Sequence, residues 1–144
     1  MILKRSIQIL FLLIVLNTID VRADDICRYK ADPALGDLKT WSDLHLWYVR
    51  YPQCDDGYFA EGLSDFVVAT LAKHWDTLAL LKAEIEKDKS FEKFVLKHID
   101  ATTDENDLAA IAKNAKAKCP PSLLPLCMKI EKKVQGALGK AKEE

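Results

Sequence analysis

The densest polar run of the chain is Cys54-Asp55-Asp56-Gly57, followed by Glu61, Ser64 and Asp65. Carboxylates grouped in this way can hold a cation, or act as a paired acid and base across a cleft. A calcium loop needs oxygen ligands at alternate positions ahead of its glycine, and the adjacent Asp55 and Asp56 break that pattern. A glycoside-cleaving pair needs a set separation between two carboxyls, which spacing along a chain does not supply. The plainer reading makes one aspartate a helix cap and the other a first-turn charge, where the positive end of the helix favours anions. Glu61 and Asp65, four residues apart, then share one solvated helical face.

The three histidines, His45, His74 and His98, are scattered over three expected helices. No two lie four residues apart, so none forms a helical metal pair. His45 falls beside an apolar stripe, and His74 and His98 fall on theirs near helix ends, as hydrogen-bonded packing residues would. A serine–histidine–acid set meets in space and not in sequence, and no glycine-flanked serine elbow announces one. The chain carries no cofactor or nucleotide motif, and the expected role involves no catalysis.

Four cysteines, Cys27, Cys54, Cys119 and Cys127, are separated by 26, 64 and 7 residues. Structural zinc sites want cysteine pairs two to four residues apart, and no such pair exists here. An even count in an exported chain reads as two disulfides. Of the three possible pairings, Cys119–Cys127 with Cys27–Cys54 is favoured, because short loops cost least to close.

Export is written in residues 1–23. Lys4 and Arg5 precede an apolar run from Ile7 to Ile19, and Val21-Arg22-Ala23 offers small residues at a signal-peptidase site. That layout is a secretory signal peptide, too short for a membrane anchor. Residues 24–144 form the expected mature domain, in the periplasm or secreted. Losing Lys4, Arg5, Arg22 and Asp20 with the leader takes the formal charge from −1 to −3. A slightly acidic body with no basic stripe argues against nucleic acid, and no later apolar run is long enough for a membrane span.

The elements that must position these residues are helices. Residues 24–39 contain Pro33 and Gly36 with little periodicity and read as an irregular arm held by Cys27. Thr40-Trp41-Ser42-Asp43 resembles a capping box, and Trp41, Leu44, Trp47, Tyr48 and Tyr51 follow at helical spacing until Pro52. A second helix starts at Asp55 or Asp56 and runs to about Trp75, apolar over a wide face that marks it as central. Asp76 caps a third, with Leu78, Leu81 and Ile85 inward and Lys82, Glu84, Glu86 and Lys87 outward. Asp88 or Ser90 opens a fourth, in which Phe91, Phe94, Val95 and His98 share a face. Thr102-Thr103-Asp104-Glu105 reads as the capping box of a fifth, with Leu108, Ile111, Ala112 and Ala115 inward. After Pro120-Pro121-Ser122, a sixth carries Leu124, Cys127, Ile130, Val134 and Leu138, and the charged tail from Gly139 frays. No segment alternates at period two. The expected fold is all-α, five or six short helices in an irregular bundle stapled by disulfides. Gly62, inside a helix, points to close helix approach, since it costs up to about 1 kcal/mol against alanine.

Aromatic residues concentrate around the first helix and its neighbour, with Trp41, Trp47, Tyr48, Tyr51, Tyr58, Phe59 and Trp75. They serve the core, and an edge left exposed suits a protein interface. The stretch Cys54-x-x-Gly57-Tyr58-x-x-x-Gly62-x-x-Asp65 resembles the first core helix of small periplasmic immunity proteins of type VI secretion systems. It has three residues, where that group has two, between the tyrosine and the second glycine. The resemblance implies an exported, disulfide-bonded helical protein that binds and blocks a toxin such as a cell-wall amidase, often as a homodimer. On that basis Asp55, Asp56, Tyr58, Glu61 and Asp65 are the candidate binding residues, and an acidic patch would steer a basic partner. A carrier of a small apolar ligand, like four-cysteine insect chemosensory and odorant-binding proteins, is the alternative, although their close cysteine spacings differ. A carboxylate-dependent hydrolase built on the acidic run ranks third.

Overall fold

The computed structural model describes residues 25–141, and the expected signal peptide lies outside the described residues. Seven α-helices follow one another within them: α1 Asp32–Gly36, α2 Trp41–Arg50, α3 Gly57–Lys73, α4 Leu78–Lys87, α5 Lys89–Lys97, α6 Glu105–Ala117 and α7 Leu124–Ala141. A π-helical turn, Cys27–Ala31, leads into α1, and 3-10 turns at Pro52–Cys54, Trp75–Thr77 and Pro121–Leu123 make three of the junctions. No strand occurs among the described residues. The fold is all-α and stapled by two disulfides, Cys27–Cys54 and Cys119–Cys127, the expected pairing.

The helix beyond the expected count comes from the N-terminal arm, which is wound and not irregular. Pro33 sits in the first turn of α1, where its missing N–H would have had no partner in any case. Ala31 is fully buried, and its carbonyl accepts a hydrogen bond from Trp47 Nε1 at 3.1 Å. Tertiary docking, with the Cys27–Cys54 bond, fixes a segment whose own periodicity is weak.

Side-chain caps set most helix starts. Thr40 Oγ1 accepts from the Asp43 N–H at 3.1 Å, and Asp43 accepts from the Thr40 N–H at 2.9 Å, completing the capping box. Asp56 caps α3, Asp88 caps α5 and Asp104 caps α6. Three starts or ends differ from the sequence expectation. Asp76 lies inside the 3-10 turn Trp75–Thr77 and makes no cap for α4. The Thr102 hydroxyl donates to Asp100, leaving Asp104 as the α6 cap. Helix α3 stops at Lys73, so His74 is exposed at its C-terminal end instead of packed on an apolar face.

One continuous core runs from Ala31 to Ala137. Helix α3 lies at its centre through Leu63, Val67, Val68 and Leu71, packed between α1 and α6, while α6 packs along α7 and α2 covers α4 and α5. Trp41 and Trp47 are buried, and their indole N–H groups are satisfied by Thr77 Oγ1 and the Ala31 carbonyl. Gly62 answers to close approach: a Cβ there would stand 2.8 Å from Leu35 Cδ2 of α1. Two residues face the other way from expectation. Leu124 is exposed, because the Pro121–Leu123 turn shifts the register so that Leu123 and Leu126 enter the core. Glu84 is buried, not outward, for a reason that lies in α2. Among the described residues, no helix is long and apolar enough to cross a membrane.

Candidate functional site

The acidic run divides at the start of α3, where Asp55 turns inward and Asp56 turns out. Asp56 caps the helix by accepting from the Gly57 N–H at 2.8 Å. Gly57 takes φ +48°, a left-handed conformation that glycine adopts without strain. Asp55, only 11% exposed at its side chain, pairs through Oδ2 with Lys97 Nζ at 2.7 Å. Its Oδ1 stands 3.3 Å from His98 Nε2. Asp55 is therefore a structural anion between α3 and the end of α5, and not part of an exposed acidic patch.

Behind Asp55 lies a buried polar chain. Ser64 and His98 are 2% and 1% exposed, and Ser64 Oγ is 3.0 Å from His98 Nδ1. The Ser64 hydroxyl donates to Asp100 Oδ2 at 2.9 Å. With its one proton committed there, Ser64 accepts from His98, which assigns the proton of the neutral imidazole to Nδ1 and leaves Nε2 bare toward Asp55. Neither His98 Nε2 nor Asp55 Oδ1 has a hydrogen-bond partner among the described residues. Burial pushes the His98 pKa below its ordinary 6.5, although Asp55 pulls the other way. Burial also works to raise Asp100, yet Thr102, Ser64 and His98 together bring it below the usual carboxylate value.

Serine, histidine and carboxylate are thus assembled, which the sequence did not announce, but in an order unsuited to nucleophilic attack. An activated serine gives its proton to the histidine and faces substrate. Here it gives its proton to Asp100 and faces the interior. The set clamps α3 to the turn after α5. Its spacing in sequence offers no local signal, because Ser64 lies in α3 while His98 and Asp100 lie 34 and 36 residues on, just past the end of α5.

A second histidine is held in the same manner. His45 of α2 bonds Glu84 Oε2 through Nδ1 at 2.8 Å and stacks on Phe91, with ring centroids 4.5 Å apart. Lys87 completes the group by donating to Glu84 Oε1 at 2.6 Å. Lys87 first, and then His45, hold the Glu84 pKa below its ordinary value against the opposing effect of burial.

The remaining candidate residues are at the surface. Tyr58, Glu61 and Asp65 are exposed at three- and four-residue spacing along one face of α3. Tyr58 is 66% exposed and its ring meets Phe59 edge-on. The nearby Asp32 carboxylate of α1 holds the Tyr58 hydroxyl pKa above its ordinary value of 10. A hollow of about 500 Å³ opens here, lined by Asp25, Cys27, Arg28, Asp32, Tyr58 and Phe59. The Cys27–Cys54 bond ties both sides of this hollow together. Tyr58, Glu61 and Asp65 share one face of α3, Asp56 caps the same helix, and Asp25 and Asp32 line the hollow beside Tyr58, a pair the sequence did not suggest because the arm had no assigned shape.

All four cysteines are consumed in disulfides, so no thiolate site is present. Among the described residues no group of three His, Cys, Asp or Glu side chains converges as a metal site would require. Compared with protein-family models, curated proteins and solved structures, the chain matches none.

Proposed function

We propose that this is an exported helical binding protein that acts by occluding another protein, in the manner of an immunity protein that blocks a cell-wall-directed toxin. Two disulfides are the chemistry of an oxidising compartment, which supports a periplasmic or secreted site of action. The observation that carries the reading is the disulfide-anchored edge around Tyr58. An exposed aromatic beside Asp25, Asp32 and Arg28, with Glu61 and Asp65 exposed farther along the same face of α3, offers an anchor on a mostly acidic edge. Rigid aromatics of this kind supply interface contact area at low entropic cost, and the charge speeds encounter with a basic partner.

The test uses the mature domain as bait in periplasmic extract, with captured proteins identified by mass spectrometry. Tyr58→Ala with Glu61→Lys should abolish capture of a specific partner while leaving the thermal unfolding midpoint within a few degrees. A captured hydrolase that the native domain inhibits, and the double variant does not, supports the toxin-blocking reading. Undiminished capture by the double variant refutes this edge. Asp55 is unsuitable for the test, because a lysine there would face Lys97 and His98.

A further inference from the structure

Lysines dispersed in sequence converge in the fold. Helix α5 contributes Lys93 and Lys97, one turn apart, and α7 contributes Lys129, Lys132, Lys133 and Lys140. All six are exposed. Between the two helices run two hollows of about 560 and 740 Å³, which share Leu96, Lys97, Lys129 and Lys133 as lining. Their floor is apolar, with Phe94, Ile99 and Ala137, and a Cβ at Gly136 would meet only open space. Among the described residues, two carboxylates line the trough. Glu92 is paired with Lys129, and Asp100 is engaged by Ser64 and Thr102. Among the described residues Lys93, Lys132, Lys133 and Lys140 make no ion pair. A chain of formal charge −1 thus gathers uncompensated cations along one apolar groove.

We infer that this trough binds an anionic amphiphile, a single alkyl or acyl chain ending in a carboxylate or phosphate. The floor accepts the chain, the lysine stems extend the apolar walls, and their ammonium heads meet the anion at the rim. The hollows have the volume of small-ligand sites, and Lys129 to Lys140 spans about 16 Å of helix, room for an extended chain. A nucleic acid would want a row of aromatic stacking platforms, and among the described residues the lining holds two aromatics, Tyr48 and Phe94. The inference is independent of the acidic edge, with which the trough shares no lining residue.

Calorimetric titration of the oxidised protein with dodecanoate and with dodecyl phosphate tests it, with dodecyl maltoside and inorganic phosphate as controls. Both alkyl anions should bind saturably and more tightly than either control. Lys132→Glu with Lys133→Glu should weaken binding about tenfold or more. Gly136→Leu, which fills the floor and spares every charge, should weaken it as well, with the unfolding midpoint retained. Equal binding of dodecyl maltoside, or of inorganic phosphate alone, overturns the proposal. So does unchanged affinity in both variants, and tighter binding of a glutamate-rich amphipathic peptide would assign the trough to a protein instead.

Discussion

Ser64 Oγ and His98 Nδ1 stand 3.0 Å apart in the interior, with neither residue more than 2% exposed. The contact joins the middle of α3 to the end of α5 and passes on to Asp100 and Asp55, so one imidazole organises three segments. A polar chain in an apolar core must be satisfied to be tolerated. One position is not, because His98 Nε2 is bare beside Asp55. That nitrogen is where acid enters.

The first prediction follows from it. Burial holds the folded-state pKa of His98 below 6.5. Above 6.5 the imidazole is neutral in folded and unfolded chains alike, and its contribution to stability is complete. As the pH falls below 6.5 the unfolded chain takes up a proton that the fold resists, so stability declines down to the folded-state pKa. Urea midpoints measured from pH 8 to pH 5 for the native protein and for His98→Asn should differ in slope below 6.5, with the native protein the steeper. A native slope that is flatter, or reversed, would mean that Asp55 outweighs burial.

A second acid transition belongs to Glu84. Lys87 and His45 hold its pKa below the ordinary 4.5, so its stabilising effect is full above 4.5 and is lost as the pH falls through the folded-state value. Glu84→Gln should therefore flatten the stability curve between pH 4.5 and pH 3 while leaving the onset of the His98 effect below pH 6.5 unchanged. Chemical denaturation across that range separates the two. Identical acid slopes for the two proteins would show that the Glu84 group contributes nothing to acid sensitivity.

These two histidines mark the boundary of what the sequence revealed. Caps and apolar spacing located six of the seven helices because those signals are local: Thr40 with Asp43, Asp56 and Asp88 each act within four residues, although at α6 the cap is Asp104 and not Thr102. Glu84 read as outward on the pattern of its own helix, and only the approach of His45 from α2 buries it. Asp55 and Asp56 are indistinguishable in sequence; Lys97 and His98, more than forty residues away, decide which turns in. The basic trough escaped notice for the same reason, since its lysines are helical neighbours only within α5 and within α7. Conversely, Gly62 and the cysteine pairing were legible, because packing distance and loop length are simple constraints.

Gly57 supplies a third prediction. Its φ of +48° lies in the left-handed region, and a Cβ there would meet nothing within 4 Å. Substitution by alanine therefore introduces backbone strain without a packing clash. Gly57→Ala should cost about 1–2 kcal/mol at the start of α3. Gly136→Ala, exposed in mid-helix and equally open, should instead gain up to about 1 kcal/mol from helix propensity. Opposite shifts in the thermal midpoint are the expected result, and a stabilised Gly57→Ala would contradict the assigned backbone conformation.

The disulfides should differ in weight. Cys27–Cys54 closes a separation of 27 residues and Cys119–Cys127 one of 8. On loop-closure entropy alone, removing the first should cost about 3.5 kcal/mol and the second about 2.5 kcal/mol. The native contacts increase the contrast. Cys27 precedes α1, whose seat against α3 depends on Leu35 at Gly62, while Cys119 and Cys127 join segments already bound by the long α6–α7 packing. Paired serine variants compared by urea denaturation should therefore place the Cys27–Cys54 deletion at the lower midpoint. The same deletion should loosen the hollow between Asp32 and Tyr58, which the Tyr58 phenol reports through a pKa returning toward 10. A larger loss from Cys119–Cys127 would instead make the α6–α7 hairpin the element that most needs its staple.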